Sequence, residues 1–166
     1  MTMPSEANPT GQPRKAGVII LRPAQTGWQC LLLRAYRNWG FAKGEIEAGE
    51  SPLDAAVREA EEETALTDLD FCWGDVHIET PPRPGHKLTR YYIAVSPSGH
   101  VMLPISAELG RPEHHEFRWV GFDAAKTLLG PPLQLIIAWG EAIAETSPVS
   151  ARLSCCSPHA GSFNEY

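Results

Sequence analysis

The chain has 166 residues, of which 43% are hydrophobic and 20% are charged, and its formal net charge at pH 7 is −6. This composition is typical of one soluble globular domain, and the negative charge argues against binding to a nucleic-acid backbone or an anionic membrane surface. Half of the twenty acidic residues but only one basic residue lie between Glu45 and Asp70, so this segment carries −9 and the remainder +3.

The ends of the sequence differ in composition from its middle. Residues 1–15 are polar and rich in proline and predict a flexible lead, residues 16–145 predict the folded domain, and the Ser-rich residues 146–166 predict a flexible tail. Cys155 and Cys156 lie in that tail and carry no pairing pattern of their own. There is no run of about 20 apolar residues and no apolar signal-peptide core, so we expect a cytoplasmic protein.

Short apolar segments bounded by turn residues predict strands at five places, residues 16–22, 28–34, 69–80, 88–95 and 116–120. Two prolines then open a predicted helix over residues 131–145. Cys30 and Cys72 lie in strand-like surroundings, and we expect both thiols to be buried because free cysteines usually are.

The acidic segment contains a helix start. Ser51 is a good N-cap, Pro52 suits the first helical position, and Asp54 follows at the spacing of a capping pattern. At 100° per residue, one arc of this helix is predicted to face the core, and it is formed by Leu53, Ala56, Val57, Ala60 and Thr64.

Three glutamates border that arc on one side of the helix. Glu59, Glu62 and Glu63 stand at i, i+3 and i+4 and share a face, whereas Glu61 points away toward solvent. Such a run is often only a solvated acidic surface. A carboxylate cluster at the edge of a core, however, raises the pKa values of its members unless a cation neutralises it, and a hard divalent ion such as Mg²⁺ or Mn²⁺ suits oxygen ligands.

The wider spacing decides between these two interpretations. The segment reads Gly44-x5-Glu50-x7-Arg58-Glu59-Ala60-x-Glu62-Glu63-x-Ala65-Leu66. It resembles the Nudix box, G-x5-E-x7-R-E-U-x-E-E-x-G-U, in which U is apolar. The one departure is Ala65 in place of glycine, at the helix end where glycine eases a left-handed cap, and alanine should strain that turn slightly.

The resemblance implies a fold and a set of roles. The expected fold is the α/β Nudix sandwich, α/β/α with a mixed β-sheet and a loop-helix-loop box that holds Mg²⁺ or Mn²⁺ against a pyrophosphate. The implied metal site is formed by the side chains of Glu50, Glu59, Glu62 and Glu63 and by the backbone at Lys43 and Gly44. The resemblance implies that Lys43 also contacts the substrate. Glu59 is further implied as a ligand or a general base, and Arg58 as the residue that orients the glutamates.

Motifs outside the box are similar to those of diadenosine tetraphosphate hydrolases. They are Trp39-Gly-Phe-Ala-Lys-Gly before the box, Lys87-x3-Tyr91 after the Pro-rich loop, and Glu113-His-x3-Arg-Trp near residue 119. Phe41 and Ala42 depart from the two prolines of the first motif. The likeness implies that Lys87 contacts polyphosphate and that Glu113 is a metal ligand or general base.

Each of these motif residues also has a plainer interpretation. Lys87 could be an ordinary surface lysine, and Glu113 a plain loop acid. Tyr91 and Tyr92 alternate on a strand, and we favour Tyr91 for the substrate. Trp39 and Phe41 either stack on a base or pack in the core.

The two histidines after Glu113 also invite a metal site. His114 and His115 are adjacent at a strand entrance, so their side chains point apart. We therefore interpret both as loop residues without a metal.

The expected activity is metal-dependent hydrolysis of a nucleoside polyphosphate, with asymmetrical cleavage of diadenosine tetraphosphate to ATP and AMP as the favoured reaction. Alternatives are an RNA 5′-pyrophosphohydrolase, a nucleoside triphosphate or inositol-pyrophosphate hydrolase, and a silent nucleotide-binding sensor. The absence of a basic cluster argues against the RNA substrate, and the presence of every box glutamate argues against the sensor. The expected partner is a small nucleotide, with no stable nucleic-acid or membrane binding; monomer and dimer remain open.

Overall fold

The computed structural model describes residues 11–146, and Cys155, Cys156 and most of the predicted lead and tail lie outside this range. Its strands are β1 (Lys15–Pro23), β2 (Trp28–Ala35), β3 (Asn38–Gly40), β4 (Ala42–Glu45), β5 (His77–Glu79), β6 (Thr89–Val95) and β7 (Glu116–Val120). Its helices are α1 (Pro52–Thr64), α2 (Phe122–Leu128) and α3 (Pro131–Thr146). Over the described residues, no helix combines the length and apolar character needed to span a bilayer.

All seven strands belong to one mixed sheet centred on β1. Strand β1 is parallel to β6 from Lys15 to Leu21. On its other edge β1 pairs antiparallel with β4 near its start and with β2 near its end. The main strand order is β3-β2-β1-β6-β5, with β7 paired to β2.

Helices cover both faces of this sheet. Ile19 and Ile93 pack in a core with Ile136 and Ile137 of α3, whereas Val18 and Ile20 pack in a second core with the alanines of α1. Because successive side chains of a strand point to opposite faces, a strand with two covered faces is apolar throughout. This explains the weak alternation in residues 16–22 and confirms the expected α/β/α sandwich.

Four predicted strands and both predicted helices are confirmed at their expected positions, and the segment over residues 69–80 is the exception. Only His77–Glu79 of that segment forms a strand, although Asp70 makes an isolated bridge to Val95. Cys72 lies in the intervening turn and is exposed, so the prediction of a buried Cys72 is wrong, whereas Cys30 is buried in β2 as expected. An apolar stretch of this length can be a turn packed against a sheet, which composition alone does not distinguish from a strand.

Helix α1 begins as predicted but is rotated about its axis. The Ser51 hydroxyl accepts a hydrogen bond from the Asp54 N–H at 3.1 Å, and Pro52 is the first helical residue. Val57 is 38% exposed and does not belong to the core, which corrects the predicted arc. The residues of α1 that are buried are Ala55, Ala56, Ala60, Glu63 and Thr64. The buried face is thus turned by roughly 60° from the predicted one and includes a carboxylate.

Ala65 ends α1 in the left-handed conformation, with φ 60° and ψ 11°, and its N–H donates to the Glu61 carbonyl at 2.9 Å. A Cβ atom is unfavourable in this region, so we expect Ala65→Gly to raise the free energy of unfolding by about 0.5–1 kcal/mol despite the greater freedom of glycine in the unfolded chain. Urea denaturation at constant m-value measures the change. Ala138→Gly, at an exposed interior position of α3, is the matched control and should lower the stability by about 1 kcal/mol. Equal losses in both variants would contradict strain at Ala65.

Candidate active site

A cleft of about 710 Å³ opens where β4, α1 and the loop over residues 101–115 meet. The residues that line it include candidate metal ligands and phosphate-binding groups, among them Lys15, Lys43, Gly44, Glu59, Glu62, Glu63, Glu113 and His114. The β1–β4 register pairs Gly17 with Lys43 and so fixes the strand that faces the helix. The Met102 N–H donates to the Thr64 carbonyl at 3.0 Å, which attaches the loop to the end of α1.

Gly44 lets the Glu59 carboxylate lie directly against the backbone of β4. A Cβ atom at Gly44 would overlap the carboxyl carbon and both oxygens of Glu59. The φ of Gly44 is not positive, so the position needs glycine for space and not for backbone conformation. Burial raises the pKa of Glu59, and a hydrogen bond from Arg58 opposes that shift.

Arg58 donates hydrogen bonds to several of the glutamates on and before helix α1. Its Nε and Nη2 donate to the two carboxylate oxygens of Glu50 at 2.9 and 3.0 Å, and its Nη1 donates to Glu59 at 2.8 Å and to Glu62 at 3.3 Å. Nη2 also donates to the Glu45 carbonyl at 2.9 Å. Arg58 thus contacts three glutamates of the box, and its role in orienting them for catalysis stays a prediction.

Glu50 has both of its carboxylate oxygens engaged by Arg58. Those hydrogen bonds hold the pKa of Glu50 well below its usual range. Glu50 therefore holds Arg58 in this conformation, and its contact with a metal stays a prediction.

Glu63 is the buried carboxylate of the site, with 4% of its side chain exposed. Its Oε2 accepts a hydrogen bond from the Lys43 N–H at 3.2 Å, which connects α1 to β4 at the base of the cleft. Burial, together with the nearby charges of Glu113 and Glu59, raises the pKa of Glu63 to about 9. A carboxylate in this position gains from a cation beside it.

The donor set fits a divalent cation. Glu63, Glu113 and His114 each offer one ligand atom, and these three atoms lie within 4.8 Å of one another. Carboxylate oxygens are the ligands that Mg²⁺ and Mn²⁺ prefer. Glu59 and Glu62 line the same cleft, so the structure brings four of the predicted metal-site glutamates to one place.

His114 is the site residue that sequence reasoning missed. It does lie in the loop before β7, as predicted, but its Nδ1 is 4.0 Å from Glu63 Oε2 and only 12% of its side chain is exposed. Burial lowers the pKa of His114. The two histidine side chains do point apart, as predicted: His114 faces Glu63, whereas His115 is exposed and packs against the Tyr36 ring.

Two lysines give the cleft its positive side. Lys43 and Lys15 both line it, beside the carboxylates of α1. Burial and the charge of Lys15 lower the pKa of Lys43, and the surrounding glutamates oppose this shift. Lys87, by contrast, forms an ion pair with Glu45 at the rim, and its contact with polyphosphate stays a prediction.

Tyr91 and Phe41 lie in the core, which bears on their predicted substrate role. Each is 1% exposed, and their rings meet edge to face at 5.5 Å between centroids. Tyr92 is also buried, on the opposite face of β6, because both faces of the sheet are covered. In this conformation Tyr91 and Phe41 offer no surface to a substrate, so packing accounts for both.

Trp39 has a different environment. It is partly buried beside the core, and its ring is approached by two guanidinium groups, that of Arg118 at 4.8 Å and that of Arg34 at 5.8 Å from the ring centroid. Such cation–π contacts stabilise the indole where it is. The choice between packing and base stacking at Trp39 stays open.

Comparison with known proteins adds three findings. The family model described as the NUDIX domain matches residues 11–140. The bis(5′-nucleosyl)-tetraphosphatase [asymmetrical] of Sus scrofa is 30% identical over 126 residues, which cover 68% of this chain and 81% of that protein. A crystal structure described as a C. elegans Ap4A hydrolase binary complex has a TM-score of 0.69 at 22% identity, covering 82% of this chain and 100% of the other; at that identity it supports the fold alone.

A further similarity covers much less of the relative. An octanoyltransferase of Myxococcus xanthus is 35% identical over 91 residues, which are 52% of this chain. The chain spans 24% of that protein's length, so its activity does not transfer.

Proposed function

The chain belongs to the Nudix domain family and is a pyrophosphohydrolase, and we propose that it cleaves diadenosine tetraphosphate asymmetrically, to ATP and AMP, with Mg²⁺ or Mn²⁺ as cofactor. The observation that carries this proposal is that a carboxylate of the Nudix box and one from outside it meet in one cleft. Glu63 of α1 and Glu113 of the distant loop lie close enough together to bind the same cation. The substrate choice is supported by the 30% identity to a tetraphosphatase over 81% of its length.

The carboxylates divide into those that hold a cation and those that are held by Arg58. We assign Glu59, Glu62, Glu63 and Glu113 as ligands, together with the Lys43 carbonyl. Such a cation, when bound, neutralises phosphate charge and acidifies water beside it. Arg58 keeps Glu59 in place through a 2.8 Å hydrogen bond, and this limits the positions from which Glu59 can accept a proton.

Glu59 and Glu113 are the two candidates for the general base. Glu59 is wedged between Arg58 and the backbone of Gly44, and its position is fixed. Glu113 is exposed on the loop and is freer to reach a water from the substrate side. Lys43 and Lys15 complement the phosphate charge as point cations.

The experiment that tests the proposal is product analysis in ¹⁸O-labelled water. The full chain, with Mg²⁺, is incubated with a panel of dinucleoside polyphosphates, nucleoside diphosphate sugars, nucleoside triphosphates and capped RNA, and the products are identified by mass spectrometry. We expect ATP and AMP from diadenosine tetraphosphate. The label should appear in AMP, because the proposed attack of water is on the phosphorus atom that becomes the phosphate of AMP. The same reaction in excess chelator should stop.

Two results would contradict the substrate. Two molecules of ADP from diadenosine tetraphosphate would mean symmetrical cleavage. No turnover of any dinucleotide, with rapid cleavage of another diphosphate in the panel, would replace the substrate and leave the pyrophosphohydrolase activity in place. A cytoplasmic location and the absence of nucleic-acid binding remain predictions.

A further inference from the structure

We propose that His114 supplies a nitrogen ligand to the cation held by Glu63 and Glu113, and that it shifts the preference of this site from Mg²⁺ toward Mn²⁺. The inference rests on the proposed function only in placing a divalent cation in the cleft. It adds a ligand of a different chemical type to a set that is otherwise composed of oxygen atoms.

The first observation is an unpartnered nitrogen. The Nδ1 atom of His114 is buried and has no hydrogen-bond partner among the described residues. A buried polar atom left without a partner is costly, and most such atoms in folded proteins are satisfied by protein, water or an ion. The nitrogen lies on the side of the ring that faces Glu63, at 4.0 Å from its Oε2.

The second observation is the spacing of the donors. Two ligands that each lie about 2.1 Å from one octahedral ion are separated by about 3.0 Å when adjacent and about 4.2 Å when opposite. The 4.0 Å between His114 Nδ1 and Glu63 Oε2 is close to the separation of opposite ligands, and no two of the three donor atoms are more than 4.8 Å apart, about 0.6 Å beyond that separation. One ion can therefore contact all three groups after small side-chain movements.

The chemistry of an imidazole sets the preference. Mg²⁺ is a hard ion that favours oxygen ligands, whereas imidazole nitrogen is accepted readily by the transition-metal ions. A single nitrogen among carboxylates should therefore raise the affinity for Mn²⁺ more than that for Mg²⁺. The alternative role for His114 is a hydrogen bond to a protonated Glu63, which would need no metal.

The adjacent histidine provides a matched control. His115 is exposed, its ring packs edge to face on Tyr36 with centroids 5.6 Å apart, and its N–H donates to the Arg34 carbonyl at 2.8 Å. His115→Gln removes an imidazole one residue away from the proposed ligand, so it controls for general effects on the loop.

The test is pulsed electron paramagnetic resonance of Mn²⁺ on the full, tag-free chain without nucleotide. With one equivalent of Mn²⁺, the electron spin echo envelope should show the ¹⁴N modulation of a coordinated imidazole in the wild type and in His115→Gln, and it should be absent in His114→Gln. Titration should show Mn²⁺ affinity lowered by about ten- to a hundredfold in His114→Gln, the range that perturbing a metal site commonly produces, with a smaller loss for Mg²⁺. Circular dichroism establishes that each variant is folded.

A second variant keeps the test decisive if His114→Gln is unstable. His114→Asp replaces nitrogen with oxygen, so it should retain Mg²⁺ binding, lose the ¹⁴N modulation and lower the ratio of Mn²⁺ to Mg²⁺ affinity. Bound Mn²⁺ without ¹⁴N modulation in the wild type would overturn the inference, as would modulation that survives in His114→Gln. In either case, continued Mg²⁺-dependent hydrolysis of a nucleotide would leave the proposed function standing.

Discussion

Glu63→Gln should lower kcat by at least about a thousandfold and leave the fold intact. The amide oxygen can still accept the hydrogen bond from the Lys43 N–H, so the link between α1 and β4 is retained. The side chain loses the negative charge that binds a cation. Because Glu63 is buried, that charge attracts a cation more strongly than an exposed carboxylate would. Glu62→Gln should act in the same direction.

The same substitution should not destabilise the metal-free protein. Burial and the charges of Glu113 and Glu59 oppose the ionised form of Glu63, and glutamine, which is neutral at every pH, avoids the free-energy cost of that opposition. We expect a thermal midpoint in chelator equal to or above that of the wild type, and a smaller increase on adding Mg²⁺. Activity gained at the expense of stability is common at catalytic sites.

Steady-state hydrolysis of diadenosine tetraphosphate and thermal unfolding with and without Mg²⁺ measure these effects. Asp123→Asn is the control, since Asp123 is a fully exposed carboxylate at the start of α2 and does not line the cleft. It should retain wild-type kcat. Wild-type turnover by Glu63→Gln in Mg²⁺ would contradict the metal assignment.

Gly44→Ala should lower kcat by about a hundredfold, the effect expected from moving a catalytic group by about 1 Å. The added methyl would occupy the space of the Glu59 carboxylate, which must then move. Because a carboxylate is the end of a flexible side chain, the cost to stability should be small. The hydrogen bond from Arg58 to Glu59 should be lost with the movement.

The control for Gly44→Ala is Gly121→Ala. Gly121 is the N-cap of α2 with an extended backbone, and a Cβ there would meet no atom within 4 Å. Its kcat should stay near the wild-type value, and its thermal midpoint should fall slightly because alanine is a poorer N-cap than glycine. A Gly44→Ala protein with full activity would show that the position of Glu59 against β4 is not needed for catalysis. If Gly44→Ala instead unfolded the protein, Gly44 would be required for stability and not for positioning Glu59.

Much of the fold follows from local signals in the sequence. Ser51 and Pro52 start α1 as their chemistry predicts, and β1 and β2 arise from short, continuous apolar segments. The strands that the sequence did not predict, β3 and β4, have three and four residues and depend on pairing with β2 and β1. Strands this short carry too few side chains to show a period.

The site was predictable wherever spacing along one element determined it. The glutamates of α1 follow from helical periodicity, although the rotation that buries Glu63 and exposes Val57 depends on how small alanines pack against the sheet. The approach of His114 to Glu63 joins a loop to a helix about fifty positions away, and no local pattern encodes it. The exposure of Cys72 likewise depends on the turn that carries it.

The register of β1 has a consequence for the order in which the protein folds. Lys15 pairs with Glu45 of β4 on one edge and with Thr89 of β6 on the other, so a single short stretch of β1 joins β4 to a strand far along the chain. Contacts between residues so distant in sequence close large loops and form slowly. During synthesis, the box helix and β4 are complete well before β6 has left the ribosome. The glutamates of α1 are therefore synthesised before the strand and the loop that complete the site. A nascent chain should acquire cation affinity only after β6 and the loop that carries Glu113 have emerged.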